Sequence, residues 1–529
     1  MRECGMLLPI ASLPSKYGIG CFSKEAYEFV DQLKEGGQSF WQILPLGPTG
    51  FGDSPYQAFS AFAGNPYFID LEQLVGEGLL TEDECEEADF GDDDRYIAYD
   101  KIYKARFKVL KKAYERWKKD HHQFIKSKLD PETIEYCFYM AVKDHFKSAS
   151  WNKWDKDIRL RKPAAVEKYK KMLADEIGFY EFQQFEFNEQ WSRLKAYANE
   201  NGIRIIGDIP IYVAFDGADS WAHPELFQFD EECLPKAVAG CPPDAFSATG
   251  QLWGNPLYDW GYHKKDHYSW WIKRMEYSLK LYDVVRVDHF RGFEAYYSIP
   301  YGDPTAEFGH WEKGPGLDLF ARLKKSLKKE ELPIIAEDLG FLTPEVHEML
   351  KESGFPGMKV LEFAFDDSEN SDYLPHKYQE NCIVYTGTHD NETLAGWFDS
   401  ITKEEQNMVR DYLCDHYTPK KYLYKSLNSL VMRSKAALCV IPMQDYLGLD
   451  NSARINFPST LGTNWRWRLI KSDLTKALAD SIRKQNIVYG RVMWEDLQED
   501  EKPKDPEEET ETETEPKQKK DSSVKEEKD

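Results

Sequence analysis

The chain contains no CxxC pair, no GxxxxGK[ST] loop, no fixed-period repeat and too few positive charges to balance its acids. Each absence removes a class of function. Nine cysteines (Cys4, Cys21, Cys85, Cys137, Cys233, Cys241, Cys382, Cys414 and Cys439) are odd in number and scattered. That argues against a zinc site or disulfide frame and for reduced thiols in a cytoplasmic protein. With 68 Lys and Arg against 92 Asp and Glu, the formal net charge is −24. Such a surface repels phosphate backbones and anionic headgroups, so neither nucleic acid nor a membrane is an expected partner. The N-terminal apolar run spans only 5–10 before Pro and Lys follow, too short for a signal h-region or a bilayer span. Without ligand clusters or a phosphate loop, no metal ion and no cofactor is expected.

What the chain does have is a series of short, nearly continuous Val/Ile/Leu runs. They fall at 5–10, 39–46, 203–211, 284–290, 333–339, 358–363, 382–386 and 438–443, eight in all. Strands covered on both faces have this composition, and helical patterns such as KEAYEFVDQLKEGG and LDLFARLKKSLKK fill several gaps. The expected fold is an α/β (β/α)8 TIM barrel of right-handed βα units, with inserted helical and loop subdomains. One catalytic domain is expected over 1–498, with a helical insertion at about 66–200 that includes DKIYKARFKVLKKAYERWKK. A Pro-, Gly- and aromatic-rich insertion at about 212–283 reads as an ordered loop region over the barrel mouth. Residues 499–529 carry 14 acidic and 7 basic side chains, with Val524 the one aliphatic residue, which predicts a disordered acidic tail. Aromatics make up 14% of the chain, including 15 Trp, which suits either packing or flat surfaces for sugar rings.

Three acids stand at or just past strand ends, where a parallel barrel gathers its catalytic groups: Asp288 after VVRV, Glu337 after PIIA, and Asp390 in IVYTGTHD. Arg286 and Asp288 are two apart and point to one side of a strand. A guanidinium there keeps the carboxylate ionised and fixes its rotamer, as a nucleophile requires. Glu337 and Asp338 face opposite sides, so one of them reaches the mouth; Asp338 suits a backbone-binding role at the turn. An acid in an apolar, carboxylate-crowded site has its pKa raised and can donate a proton near neutrality. His389 beside Asp390 lacks a third ligand for a metal and suits hydrogen bonding to hydroxyls. Asp208, inside the apolar strand GDIPIYVA, needs a partner such as Arg286 or a sugar hydroxyl. Two carboxylates about 5–5.5 Å apart support retaining chemistry at a glycosidic bond, and a third can grip ring hydroxyls.

The segments RVDHFRG, AEDLG and GTHDN, with GDSPYQAFSAFAGNPY, GDIPIYVA, PPDAFSATGQLWGNPLYDW and LGTNWRWR, resemble those of the amylomaltases, the 4-α-glucanotransferases also called disproportionating enzymes. The likeness runs from about residue 7 to about 494. It implies a barrel with no C-terminal β-sandwich, acting by double displacement on maltooligosaccharides and other α-1,4-glucans. Asp288 would be the nucleophile, Glu337 the general acid/base and Asp390 the transition-state stabiliser. Tyr56, Asp208, Arg286, His289 and His389 would line the sugar site, with Asp244, Gln251, Trp253 and Asn255 on the acceptor side, Phe246 at a lid and Asn464 from the last loop. The oligomeric state would be monomer or homodimer. The competing readings are a retaining α-glucan hydrolase of the α-amylase type and a non-catalytic glucan-binding protein. Against the first stand the missing calcium-ligand pattern and the roughly 55 residues left after the last strand, too few for an added β-domain.

Overall fold

The structure, a computed structural model, describes residues 2–50, 52–121, 128–243, 247–340, 342–366, 371–492 and 497. Asp244, Phe246 and the expected tail at 499–529 therefore lie outside the described residues. Eight parallel strands form one sheet: β1 (Glu3–Leu7), β2 (Phe40–Gln42), β3 (Arg204–Ile209), β4 (Val284–Val287), β5 (Ile334–Ala336), β6 (Gly357–Val360), β7 (Cys382–Tyr385) and β8 (Leu438–Pro442). Each pairs with its neighbour in sequence, and β8 pairs with β1, leaving the seam between β5 and β6. Two bonds cross that seam. The Ala336 N–H donates to the Pro356 carbonyl at 3.0 Å, and the Met358 N–H donates to Asp338 Oδ1 at 2.6 Å. Asp338 is thus a backbone-binding residue, and the ring is a (β/α)8 barrel.

All eight strands overlap the apolar runs and end before those runs do. Pro9 and Pro45 lack the N–H a ladder needs, so the backbone leaves β1 and β2 before them. The barrel interior is packed by Leu7, Phe40, Ile206, Ile335, Met358, Val360, Ile383, Tyr385, Leu438 and Val440. The larger core lies between strands and helices. Helix Lys24–Glu35 buries Ala26, Phe29, Val30 and Leu33, an i, i+3, i+4, i+7 stripe, against it. Gly207 on β3 lets the Tyr282 ring approach within 2.1 Å of where a Cβ would stand, a space any side chain would fill.

The segment read as a loop region contains more regular structure than that. Gln251–Pro256 and Ala237–Cys241 join Ala295–Pro300 and His310–Lys313 in a four-stranded antiparallel sheet. Two of its four strands lie beyond β4 in sequence, so a local reading of 212–283 meets only half of the sheet.

Candidate active site

Asp288 sits where β4 ends, and its N–H still donates to the Ile209 carbonyl of β3 at 2.9 Å. Arg286, two residues earlier and 3% exposed, turns the same way. Its Nη1 donates to Asp288 Oδ1 at 3.1 Å and to both oxygens of the fully buried Asp208 at 2.9 and 2.7 Å. The partner that Asp208 required is Arg286. Tyr56 also donates to Asp208, its hydroxyl 2.8 Å from Oδ2. Burial and the Asp208 charge push the Tyr56 phenol well above its usual range, so it stays a donor.

Glu337 leaves the end of β5 under different control. Its Oε2 accepts the His289 N–H at 2.7 Å and its Oε1 the Leu339 N–H at 2.8 Å, with no ion pair among the described residues. His289 adopts a left-handed backbone, φ 52°, which a non-glycine residue holds at some cost in strain, and this conformation aims its N–H at Glu337. Burial and then the Asp288 charge push Glu337 up to about 7, against Arg286 and the two N–H donors. Asp288 is pushed up to about 6 by burial and by Asp208 and Asp390, while Arg286 pulls it down. The two acids therefore titrate as a pair, and the guanidinium on Asp288 sends the remaining proton to Glu337.

Asp390 lies in the turn after β7. Burial raises its pKa, but His389 and Asn456 outweigh that and hold it well below the usual carboxylate range. Asn456 Nδ2 donates to Oδ1 at 2.7 Å, and His389 Nε2 stands 3.3 Å from the same oxygen. Arg454 anchors the turn through the Asp390 carbonyl at 2.7 Å. His389 stacks on Tyr56, centroids 5.1 Å apart, and Trp465 packs against both rings at 6.0 Å. A chain of contacts thus runs from Asp390 through His389, Tyr56, Asp208 and Arg286 to Asp288, joining the ends of β3, β4 and β7.

The acceptor-side residues separate into two groups. Trp253 meets the His289 ring edge-on at 4.8 Å, and its Nε1 donates to Gln251 Oε1 at 3.1 Å, which places both at the rim beside Asp288. Asn255 and Asn464 have partners within the protein. Asn255 is buried and donates to the Val213 carbonyl at 2.8 Å while accepting from Gln57 at 3.2 Å; a buried amide requires such partners, so it holds the sheet to the barrel. Asn464 accepts the Phe457 N–H at 3.0 Å and donates to the Thr460 carbonyl at 3.0 Å, closing its own loop. Asn456, Arg454 and Trp465 were not singled out from sequence. Trp465 lies inside the LGTNWRWR segment, but Asn456 and Arg454 carry no local signal.

Three carboxylates at barrel strand ends, one ionised beside a guanidinium, one proton-bearing and one held strongly acidic, can break and remake a glycosidic bond. Comparison with known proteins agrees with that class. A family profile described as 4-alpha-glucanotransferase matches residues 8–473, and the chain belongs to this family. The 4-alpha-glucanotransferase of Clostridium butyricum is 50% identical over 487 residues, 91% of this chain and 99% of that one. The 4-alpha-glucanotransferase of Thermus thermophilus is 44% identical, covering 90% of this chain and 96% of its own length. Among solved structures, amylomaltase from Streptococcus agalactiae in complex with acarbose superposes with a TM-score of 0.89 at 41% identity, over 93% of this chain and 100% of that one. The chain is an enzyme of the 4-α-glucanotransferase type. No helix among the described residues is long and apolar enough to cross a membrane.

Proposed function

We propose that Asp288, Glu337 and Asp390 carry out this transfer in two inverting steps. An Asp288 oxygen attacks the anomeric carbon of the donor glucan as the glycosidic bond breaks, and Glu337 gives its proton to the departing 4-oxygen. Glu337, now a carboxylate, takes the proton from the 4-hydroxyl of a second maltooligosaccharide or of glucose. That oxygen attacks the same carbon and Asp288 leaves, so the α configuration is retained. Asp390 accepts from the ring hydroxyls as the sugar flattens, with Tyr56, Asp208 and His389 fixing its surroundings. The observation that carries these assignments is the placement of Arg286: it contacts Asp288 and Asp208 and leaves Glu337 to backbone donors.

Transfer outcompetes hydrolysis when a sugar acceptor is held in attack geometry in a site that excludes water. Trp253, braced by His289 and Gln251, supports an acceptor role for this rim. The nine free cysteines support a reducing, cytoplasmic setting, and the enzyme acts there as a monomer or homodimer. Incubation with maltotriose alone tests the function: the expected products are glucose and a ladder of longer maltooligosaccharides. Glucose and maltose without longer products identify a hydrolase instead, and no turnover a binding protein.

A further inference from the structure

Exposed large apolar side chains are scattered over most of this surface, but four of them, Leu252, Tyr301, Phe308 and Trp311, belong to the four-stranded sheet and its last hairpin. Trp311 differs from a stray exposed side chain in how it is held. The Arg291 guanidinium lies over its ring, 4.0 Å from the centroid, and Tyr297 meets it edge-on at 5.2 Å and 63°. Tyr297 is buried and is itself fixed by donating to the Ala306 carbonyl at 3.0 Å. An indole braced from one face and one edge, yet 40% exposed, presents a flat apolar surface without rotamer freedom to lose on binding. Phe308, 77% exposed, stands on the same hairpin.

The position of this ring connects it to the cleft. Arg291 follows Asp288 by three residues, in the turn Phe290–Phe293 that leaves β4, so Trp311 lies one side-chain layer from the catalytic loop. The sheet runs from the Gln251–Pro256 strand, which carries Trp253 at the rim, to the His310–Lys313 strand at its other edge. A glucan is uncharged and offers the C–H faces of its rings, which suit an aromatic plane and meet no repulsion from a chain of net charge −24.

We propose that Trp311, backed by Arg291, is a glucan-binding platform outside the catalytic cleft, which engages long α-1,4-glucan chains that reach beyond it. This rests on the glucan-transfer reading of the site, and the two fail in different ways. The test compares wild type with Trp311→Ala, and with Phe308→Ala as a variant whose exposed side chain leaves packing intact. Retardation in native gels containing amylose, which needs no turnover, is measured beside kinetics on amylose and on maltotriose. For Trp311→Ala the expected result is about tenfold weaker amylose retardation and a matching rise in amylose KM, the loss of one stacking contact, with maltotriose parameters unchanged. Phe308→Ala shows a smaller change in the same direction. Unchanged amylose retardation and KM in both variants overturn the platform, and so does equal slowing on amylose and maltotriose. A wild-type protein inert on maltotriose overturns the function reading, while the gel still reports on the platform.

Discussion

Two buried arginines occupy opposite ends of the barrel and do opposite work. Arg286, at the C-terminal ends of the strands, gives its hydrogen bonds to carboxylates, Asp208 and Asp288. Arg491, fully buried at the other end, gives its own to backbone carbonyls: Glu3 and Met432 at 2.7 Å, Ser434 at 3.1 Å and Ala436 at 3.3 Å. Burying a guanidinium is costly unless its donors are satisfied, and both ends meet that condition. The difference lies in what the positive charge acts upon. At the rim it polarises groups that titrate and react. At the bottom it ties the start of β1 to the segment that leads into β8 through backbone carbonyls.

This contrast is open to direct attack by mutation, beginning at the rim. Asp288→Asn is expected to lower turnover on maltotriose by on the order of 10⁴-fold, the scale seen when a nucleophile is removed. Its thermal unfolding stays close to wild type, because Asp208 still satisfies Arg286. Turnover near the wild-type level places the nucleophile elsewhere.

Glu337→Gln sharpens the comparison through pH. In the wild type, activity rises as Asp288 ionises near pH 6 and falls as Glu337 loses its proton near pH 7, giving a narrow bell in kcat/KM. The Gln variant is expected to lose roughly 10²–10⁴-fold in rate and the alkaline limb with it. Stability follows the same linkage. Glu337 is raised from 4.5 to about 7 on folding, so its protonated form favours the folded state, and that contribution is lost as pH rises through about 7. Glu337→Gln replaces one of the two accepting oxygens with an NH2 group, a loss common to every pH, so its unfolding temperature relative to wild type should be higher at pH 8 than below pH 4, by on the order of 1 °C. A difference from wild type that stays constant between the two pH values contradicts the raised pKa.

The bottom of the barrel gives the opposite pattern. Arg491→Met removes the donors to four carbonyls and is expected to cost about 2–4 kcal/mol in denaturant unfolding. The kcat of the protein that remains folded is unchanged. A variant of normal stability and reduced kcat inverts the assignment of the two arginines.

The same division explains what could be read from the chain alone. Barrel strands covered on both faces are continuous Val/Ile/Leu runs, so all eight were legible, as were amphipathic helices such as Lys24–Glu35 and Leu317–Leu327. The i, i+2 relation of Arg286 to Asp288 is a local property of a strand, and the 3.1 Å contact follows from it. The antiparallel sheet was not legible as a unit: two of its pairings are hairpins, but the central one joins Ala237–Cys241 to Ala295–Pro300 across more than forty residues of intervening chain. Asn456, 66 residues from Asp390, is brought to it by the fold alone. Asn255 and Asn464 were assigned to sugar because they sit in the right segments. Their amides also answer the hydrogen-bonding demands of buried and turning backbone, which segment identity does not reveal.

The division of labour between Asp288 and Glu337 is the centre of this account, and trapping tests it most directly. Glu337→Gln, supplied with an α-maltosyl fluoride whose leaving group needs no protonation, should form the glycosyl-enzyme and resolve it slowly. Peptide mass spectrometry after acid quenching is predicted to find the added sugar on the peptide bearing Asp288, at that residue. An adduct on Asp208 or Asp390 would contradict the account, as would turnover with no covalent species on any carboxylate.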